Sequence, residues 1–191
     1  MCNDYRYRLP AERLVEEFRE IRIPLRFPKG IPNIEPRDDI KITDTAPIVR
    51  FADGNAELIQ LPWSWRGPTG KPVFNFRSEG RRFAQADRAL IPADGFYEFT
   101  APKDPKQKRK DKWLFTVKGH DLFAIAGIVK QGAFTMLTTE PGPDIAPYHD
   151  RQVVVLKPEA WTDWLTAAVP EGDVLKPAPE GTLEVTQVSM T

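Results

Sequence analysis

The chain opens Met1-Cys2, and Cys2 is the only cysteine among 191 residues. Removal of Met1 would leave an α-amine and a thiol on neighbouring carbons. Such a 1,2-aminothiol condenses with an aldehyde. The amine forms an imine, the sulfur adds to the imine carbon, and a five-membered thiazolidine closes. Closure is intramolecular and gains the proximity advantage of a held nucleophile. An α-amine titrates near pKa ~8 and a thiol near ~8.5 in model compounds, so modest local shifts would make both reactive at neutral pH. Position alone leaves a second reading open: a free cysteine is often a small apolar plug beneath a strand.

Three further stretches hold residues capable of chemistry. Glu98 lies within Gly95-Phe96-Tyr97-Glu98-Phe99. Facing inward, its carboxyl would be desolvated and its pKa raised, which suits a general acid or base; facing outward, it would simply be solvated. His149, in His149-Asp150-Arg151, precedes the apolar run 153–156. That is a place for a capping residue, or for a catalytic group on a loop held by a rigid element. Asn75 and Arg77 share a parity in the alternating segment 73–77 and so point to one face of a strand; alone, Asn75 reads as a satisfied polar residue at a strand end. Arg81 and Arg82 follow closely.

Other residues bear on ligand contact. Trp63 and Trp65 flank a serine in a loop rich in Pro and Gly, and either cover the core or stack on unpaired bases. Asn33, in Ile-Pro-Asn-Ile-Glu-Pro, reads first as a turn residue and second as a binding group. In residues 101–112, Lys103, Lys106, Lys108, Arg109, Lys110 and Lys112 outnumber Asp104 and Asp111. The tract is either a solvated hairpin tip or a salt-sensitive phosphate contact.

These groups must be positioned by a chain interrupted by 19 prolines and 12 glycines, which predicts many short strands, irregular loops and few helices. Helices are expected over 10–22, 81–86 and 158–167, the first and last from their apolar periodicity, with Trp161, Trp164 and Leu165 facing the core. Strands are expected over 2–8, 47–51, 57–61, 73–77, 88–92, 96–99, 113–118, 122–129, 134–138, 153–156 and 183–188, with Asp53-Gly54 turning a hairpin. Residues 168–181 read as an exposed connector. The expected class is α+β: mainly antiparallel strands in a barrel-like curved sheet with a few peripheral helices, as a single domain over 1–191.

The totals exclude several functions. With 27 basic and 27 acidic residues the net charge is zero, so a polyanion would have to be held by local clusters. One Cys and two His leave no usual Cys/His zinc set. Nucleotide-binding and hydrolase motifs of the GxGxxG, Walker A and GxSxG kinds are absent. The lack of an apolar spanning run or signal-like segment, together with the single cysteine, leads us to expect a reducing cytoplasmic or nuclear compartment and no membrane partner.

Met1-Cys2, Asn75-Phe76-Arg77-Ser78-Glu79, Gly95-Phe96-Tyr97-Glu98 and His149-Asp150-Arg151, in that order, resemble the SRAP family of SOS-response-associated peptidases, which process abasic sites in DNA. The resemblance runs from Cys2 to about Leu156 and implies more than the residues do alone. Cys2 would be the nucleophile after loss of Met1, crosslinking to the ring-opened abasic sugar. Asn75 would hold the terminal cysteine and the sugar. Glu98 would be the acid/base beside the amine, and His149 would protonate the opened sugar oxygen. Each positioned proton-transfer group would supply roughly 10²–10⁴-fold. Arg77 would bind the adjacent phosphate, with Asn33, Trp63, Trp65, Arg81 and Arg151 completing a DNA-binding set. The partner implied is single-stranded DNA containing abasic sites, handled by a monomer without cofactor or metal in a bacterial cytoplasm, nucleoid-associated at damaged DNA.

The chain departs from the family pattern at Asn3-Asp4, where Gly-Arg is usual; that removes a cation beside the cysteine and leaves Arg6 or Arg8 to compensate. Phe76 stands for a small residue, Phe99 for Trp and Gln152 for Met. Two other functions fit parts of the pattern: a thiol peptidase using Cys2, His149 and Glu98, and a non-catalytic single-strand DNA-binding module using Trp63, Trp65 and the basic tract.

Overall fold

A computed structural model describes residues 1–104 and 106–188. In chain order the elements are β1 (Asp4–Tyr7), α1 (Ala11–Glu20), β2 (Leu25–Arg26), β3 (Arg37–Lys41), β4 (Thr45–Ala52), β5 (Asn55–Pro62), β6 (Trp65–Arg66), β7 (Pro72–Val73), β8 (Asn75–Arg77), β9 (Arg88–Ala93) and β10 (Gly95–Thr100). They continue with β11 (Asp111–Val117), β12 (Phe123–Lys130), β13 (Ala133–Thr139), β14 (Gln152–Val153), β15 (Val155–Leu156), α2 (Trp161–Thr166), α3 (Glu171–Val174) and β16 (Leu183–Val188).

The strands build two main sheets, curved but not closed, and the class is α+β. One sheet runs β16-β11-β10-β1-β3; the other runs β14-β13-β12-β9-β4-β5-β2, with β15 beside β12 and β8 lying parallel on β13. The chain crosses between sheets at Asp94, so β9 and β10 are consecutive without pairing. A single apolar cluster joins the sheets. Phe96 stacks on Phe115 with centroids 5.3 Å apart, and Trp63 stacks on Phe134 with its edge met by Tyr5. Burial of rings of this size is the dominant stabilising term.

Asp53 and Gly54 both take positive φ, at 49° and 75°. That is the type I′ geometry whose twist matches the flanking strands, as the Asp-Gly pair predicts. Helix α1 buries Ala11, Leu14 and Phe18, and α2 buries Trp161, Trp164 and Leu165.

Three expectations are corrected. No α-helix forms over 81–86. Ala84 is extended, only a 3₁₀ turn at Gln85–Asp87 follows, and the Gln85 amide is bound by the carbonyls of Phe51 and Leu165, so tertiary contacts override local propensity. The run 153–156 is two strands, not one. Val154 donates its N–H to the Leu137 carbonyl and its own carbonyl accepts the Ala126 N–H, so the segment crosses from β13 to β12. The segment expected as a helix from 158 begins as a 3₁₀ turn, Pro158–Ala160, and the connector after it contains α3.

Candidate active site

Strand pairing places the chain's first residues beside Glu98. In the antiparallel β1–β10 pair, Tyr5 faces Phe96 and Arg6 faces Gly95. A glycine at 95 keeps this crossing close: a Cβ there would lie 2.7 Å from Leu114 Cδ1 and 3.3 Å from the Phe115 carbonyl oxygen, so the Leu114 side chain would have to shift. Strand β8 supplies Asn75, whose Nδ2 donates a 2.7 Å hydrogen bond to the Cys2 carbonyl. The loop after β13 supplies His149. It is tied down at Gly142, whose N–H donates to Gln152 Oε1 at 2.8 Å and where a Cβ would collide with the Ala178 carbonyl.

The Met1 α-amine sits between two titratable groups. It is 3.6 Å from Glu98 Oε2 and contacts His149 Nε2. Glu98 does face inward and is 1% exposed. Burial raises its pKa to about 7, against the opposing pull of the amine and of the Cys2 backbone N–H. The His149 pKa is lowered, first by burial and then by the amine. Its Nδ1 lies 2.9 Å from Asp150 Oδ1 and also accepts the Arg151 N–H at 3.0 Å. A carboxylate and an N–H on the same ring nitrogen let either nitrogen carry the proton, which suits a shuttle.

Cys2 is buried, its Sγ donating to the Asp4 carbonyl at 3.3 Å. Burial, and next the Glu98 charge, push the thiol pKa well above its usual range. Two buried oxygens in this cluster, Glu98 Oε1 and Asn75 Oδ1, have no hydrogen-bond partner among the described residues. Unmet buried acceptors call for an explanation, and a bound substrate's donors would meet them.

The structure therefore brings Cys2, Asn75, Glu98 and His149 together. The expected DNA-binding set is more dispersed. Arg77 and Arg81 are exposed, and the Arg81 guanidinium lies 4.5 Å from the Phe76 ring centre. Asn33 is exposed, donates its amide to the Glu35 carboxylate at 2.8 Å and lies in irregular backbone, not in the expected turn. Trp63 is corrected: it is fully buried, with its Nε1 donating to the Phe74 carbonyl, so no base can stack on it. Trp65 is half-buried. The Arg151 fork is already engaged, meeting Glu79 Oε2 at 2.9 Å and Thr138 Oγ1 at 3.1 Å.

Lys112 was expected only as one cation of the basic tract. It bridges Asp4, at 2.8 Å, and Asp39, with its ammonium 3.8 Å from the Tyr97 ring centre. Arg6 and Arg8, expected to compensate for Asp4, are engaged by Asp94 instead. No side-chain cluster fit to hold a metal occurs among the described residues.

A profile for the SOS response associated peptidase (SRAP) family matches residues 1–191. The chain belongs to the SRAP family. Among its relatives, "Abasic site processing protein YoaM" of Bacillus subtilis is 30% identical over 92% of this chain and 84% of its own length. "Abasic site processing protein YoqW" of the same bacterium is 30% identical over 67% of this chain and 65% of its own length, so this SRAP chain aligns with just under two thirds of that relative. Solved structures of a Bordetella bronchiseptica protein (TM-score 0.75, 24% identity, covering 99% of this chain and 100% of that one) and a Bacteroides thetaiotaomicron protein (TM-score 0.73, 16% identity, 98% and 92%) share the fold.

Proposed function

We propose that this chain processes abasic sites in single-stranded DNA by capturing the ring-opened sugar aldehyde on Cys2 once Met1 has been removed. The single observation that carries the reading is the Met1 amine held between Glu98 and His149, with Asn75 gripping the next carbonyl.

The first step is hydrolysis of the Met1–Cys2 peptide bond. Glu98 takes a proton from water as the water attacks the Met1 carbonyl. It returns a proton to the Cys2 nitrogen as the C–N bond breaks, so free methionine leaves. A carboxyl with a pKa of about 7 can do both near neutrality. While Met1 is in place, burial keeps the thiol protonated and the sulfur inert.

In the second step the Cys2 amine adds to the aldehyde carbon, and His149 or Glu98 protonates the hydroxyl that leaves as water. The sulfur then adds to the imine carbon, its proton passing to the nitrogen, and the thiazolidine is complete. The aldehyde is masked, so β-elimination at the sugar is blocked. A thiol peptidase acting on peptides is disfavoured because His149 meets the amine rather than the sulfur.

Incubation with a single-stranded oligonucleotide carrying one abasic site, followed by a denaturing gel, tests this. A retarded band is expected, lost with Cys2→Ala and accompanied by a mature mass lacking methionine. No band from protein that has shed Met1 would sink the proposal.

A further inference from the structure

The basic tract between β10 and β11 is used by none of the chemistry above. Lys106, Lys108, Arg109 and Lys110 are all exposed, and none forms an ion pair among the described residues. The nearby acids are occupied in shaping the turn. Asp104 Oδ1 accepts the Lys106 N–H at 2.8 Å, and Asp111 Oδ1 accepts Gln107 Nε2 at 2.9 Å. The same Gln107 amide also donates to the Arg109 carbonyl at 2.8 Å. The loop thus fixes its own shape while leaving its cations uncompensated. With Gln187 from β16, residues Gln107, Lys108, Arg109, Lys110 and Lys112 line a cavity of about 600 Å³.

Its location matters more than its charge. Lys112 also lines a second cavity, of about 390 Å³, with Asn3, Asp4, Lys41 and Phe99, on the opposite face of β10 and β11 from Glu98. One residue further along β11, the Trp113 ring packs on Tyr148 with centroids 4.9 Å apart, and Tyr148 precedes His149. Lys110 is near enough to the imidazole to disfavour its protonation. The tract therefore adjoins the loop that carries the histidine. In a chain with no net charge, a polyanion must be drawn by such a local cluster.

We infer that Lys108, Arg109 and Lys110 form a phosphodiester-binding surface that seats the single-stranded DNA flanking the lesion, on the side of the site that carries His149. The inference deepens the proposed function by naming where the strand's backbone lies. Lys112 is not counted among the contacts, since Asp4 and Asp39 already neutralise it.

The test measures binding of an undamaged single-stranded oligonucleotide by fluorescence anisotropy across a salt series, and so does not depend on crosslinking. Each cation that releases a counterion contributes about 0.7 to the slope of log K against log salt on single strands. The triple variant Lys108→Ala, Arg109→Ala, Lys110→Ala is expected to lower that slope by about 2. A control triple at exposed sites elsewhere, Lys29→Ala, Lys130→Ala, Lys176→Ala, is expected to leave it unchanged. An unchanged slope in the tract variant overturns the inference, and so does an equal fall in both triples. Equal displacement of DNA by poly-glutamate of matched charge would assign the surface to acidic protein and overturn it as well. Failure of the proposed function would be seen separately, as the absence of a covalent band with every variant whatever the slope.

Discussion

The Asn75 carboxamide reaches across 73 positions of sequence to donate a 2.7 Å hydrogen bond to the Cys2 carbonyl. Strand β8 can do this because it lies parallel on β13, with Asn75 beside Met136. The bond fixes the direction in which the terminal residue points, and so where a Cys2 amine would emerge.

Asn75→Ala should remove that orientation while leaving the fold almost intact. A lost neutral hydrogen bond costs about 1 kcal/mol in stability, whereas displacing a reacting group by about 1 Å can cost about 10²-fold in rate. The expected outcome is slow Met1 removal and slow crosslinking by a protein with a near-normal melting curve. Intact-mass time courses and quantified denaturing gels would read both steps. An unaltered rate would release Asn75 from the site.

Glu98 links the chemistry to pH. Its pKa is raised from 4.5 to about 7, chiefly by burial, so the folded state binds the proton more tightly than the unfolded one. The stability this contributes is complete below about pH 4.5 and is lost as pH rises through about 7. Asp4, raised by burial from 3.8 to about 6, adds a smaller fall in the same direction. Glu98→Gln cannot ionise, so it should melt higher than the parent protein above pH 7, by an amount reaching at most about 3 kcal/mol. The same variant should keep Met1. Thermal melts from pH 4 to 9, paired with mass spectra, would check both. Destabilisation at pH 8 would mean that the ionised carboxylate holds the amine terminus more strongly than burial opposes it.

What could be read from sequence follows the range of the interactions involved. The Asp53-Gly54 hairpin and the Trp161/Trp164 helix face depend on neighbours a few residues away, and both were legible. Whether Glu98 faces in or out was not, because a period of two assigns alternate faces without saying which is the core. Lys112 and Asp4 are 108 positions apart, and only the placement of β1 and β11 on either side of β10 brings them together. The 81–86 segment failed as a helix for a related reason: its glutamine satisfies carbonyls contributed by remote parts of the chain.

Trp63 and Trp65, two residues apart, should separate cleanly. Trp63 is buried against Phe134, Tyr5 and Phe74, so Trp63→Ala should destabilise by about 3–5 kcal/mol. Any loss of DNA binding there would track unfolding. Trp65 keeps part of its surface open, and Trp65→Ala should weaken single-stranded DNA binding by about 1–3 kcal/mol if a base stacks on it, with little change in melting temperature. Anisotropy and calorimetry on the two variants would distinguish the roles. Equal melting temperatures would contradict the burial of Trp63.

Glu79 and Arg151 form the remaining link. The guanidinium holds the Glu79 carboxyl down at about 2, and it also bonds Thr138. Strand β8 with Asn75 is thereby tied to the loop carrying His149, whose Nδ1 receives the Arg151 N–H. A depressed carboxyl pKa contributes stability above its unfolded value of 4.5 that is lost as pH falls towards 2. Solvent around the half-exposed Glu79 keeps that contribution small. The functional effect should be larger. Glu79→Gln is expected to slow the step in which the sugar ring opens, and to shift its pH profile, because the imidazole is no longer held at one angle. Arg151→Ala should do the same, and the double variant should be no slower than Arg151→Ala alone, since both act through one contact. Additive losses would instead mean that Arg151 reaches the DNA directly while Glu79 serves only to fold the loop.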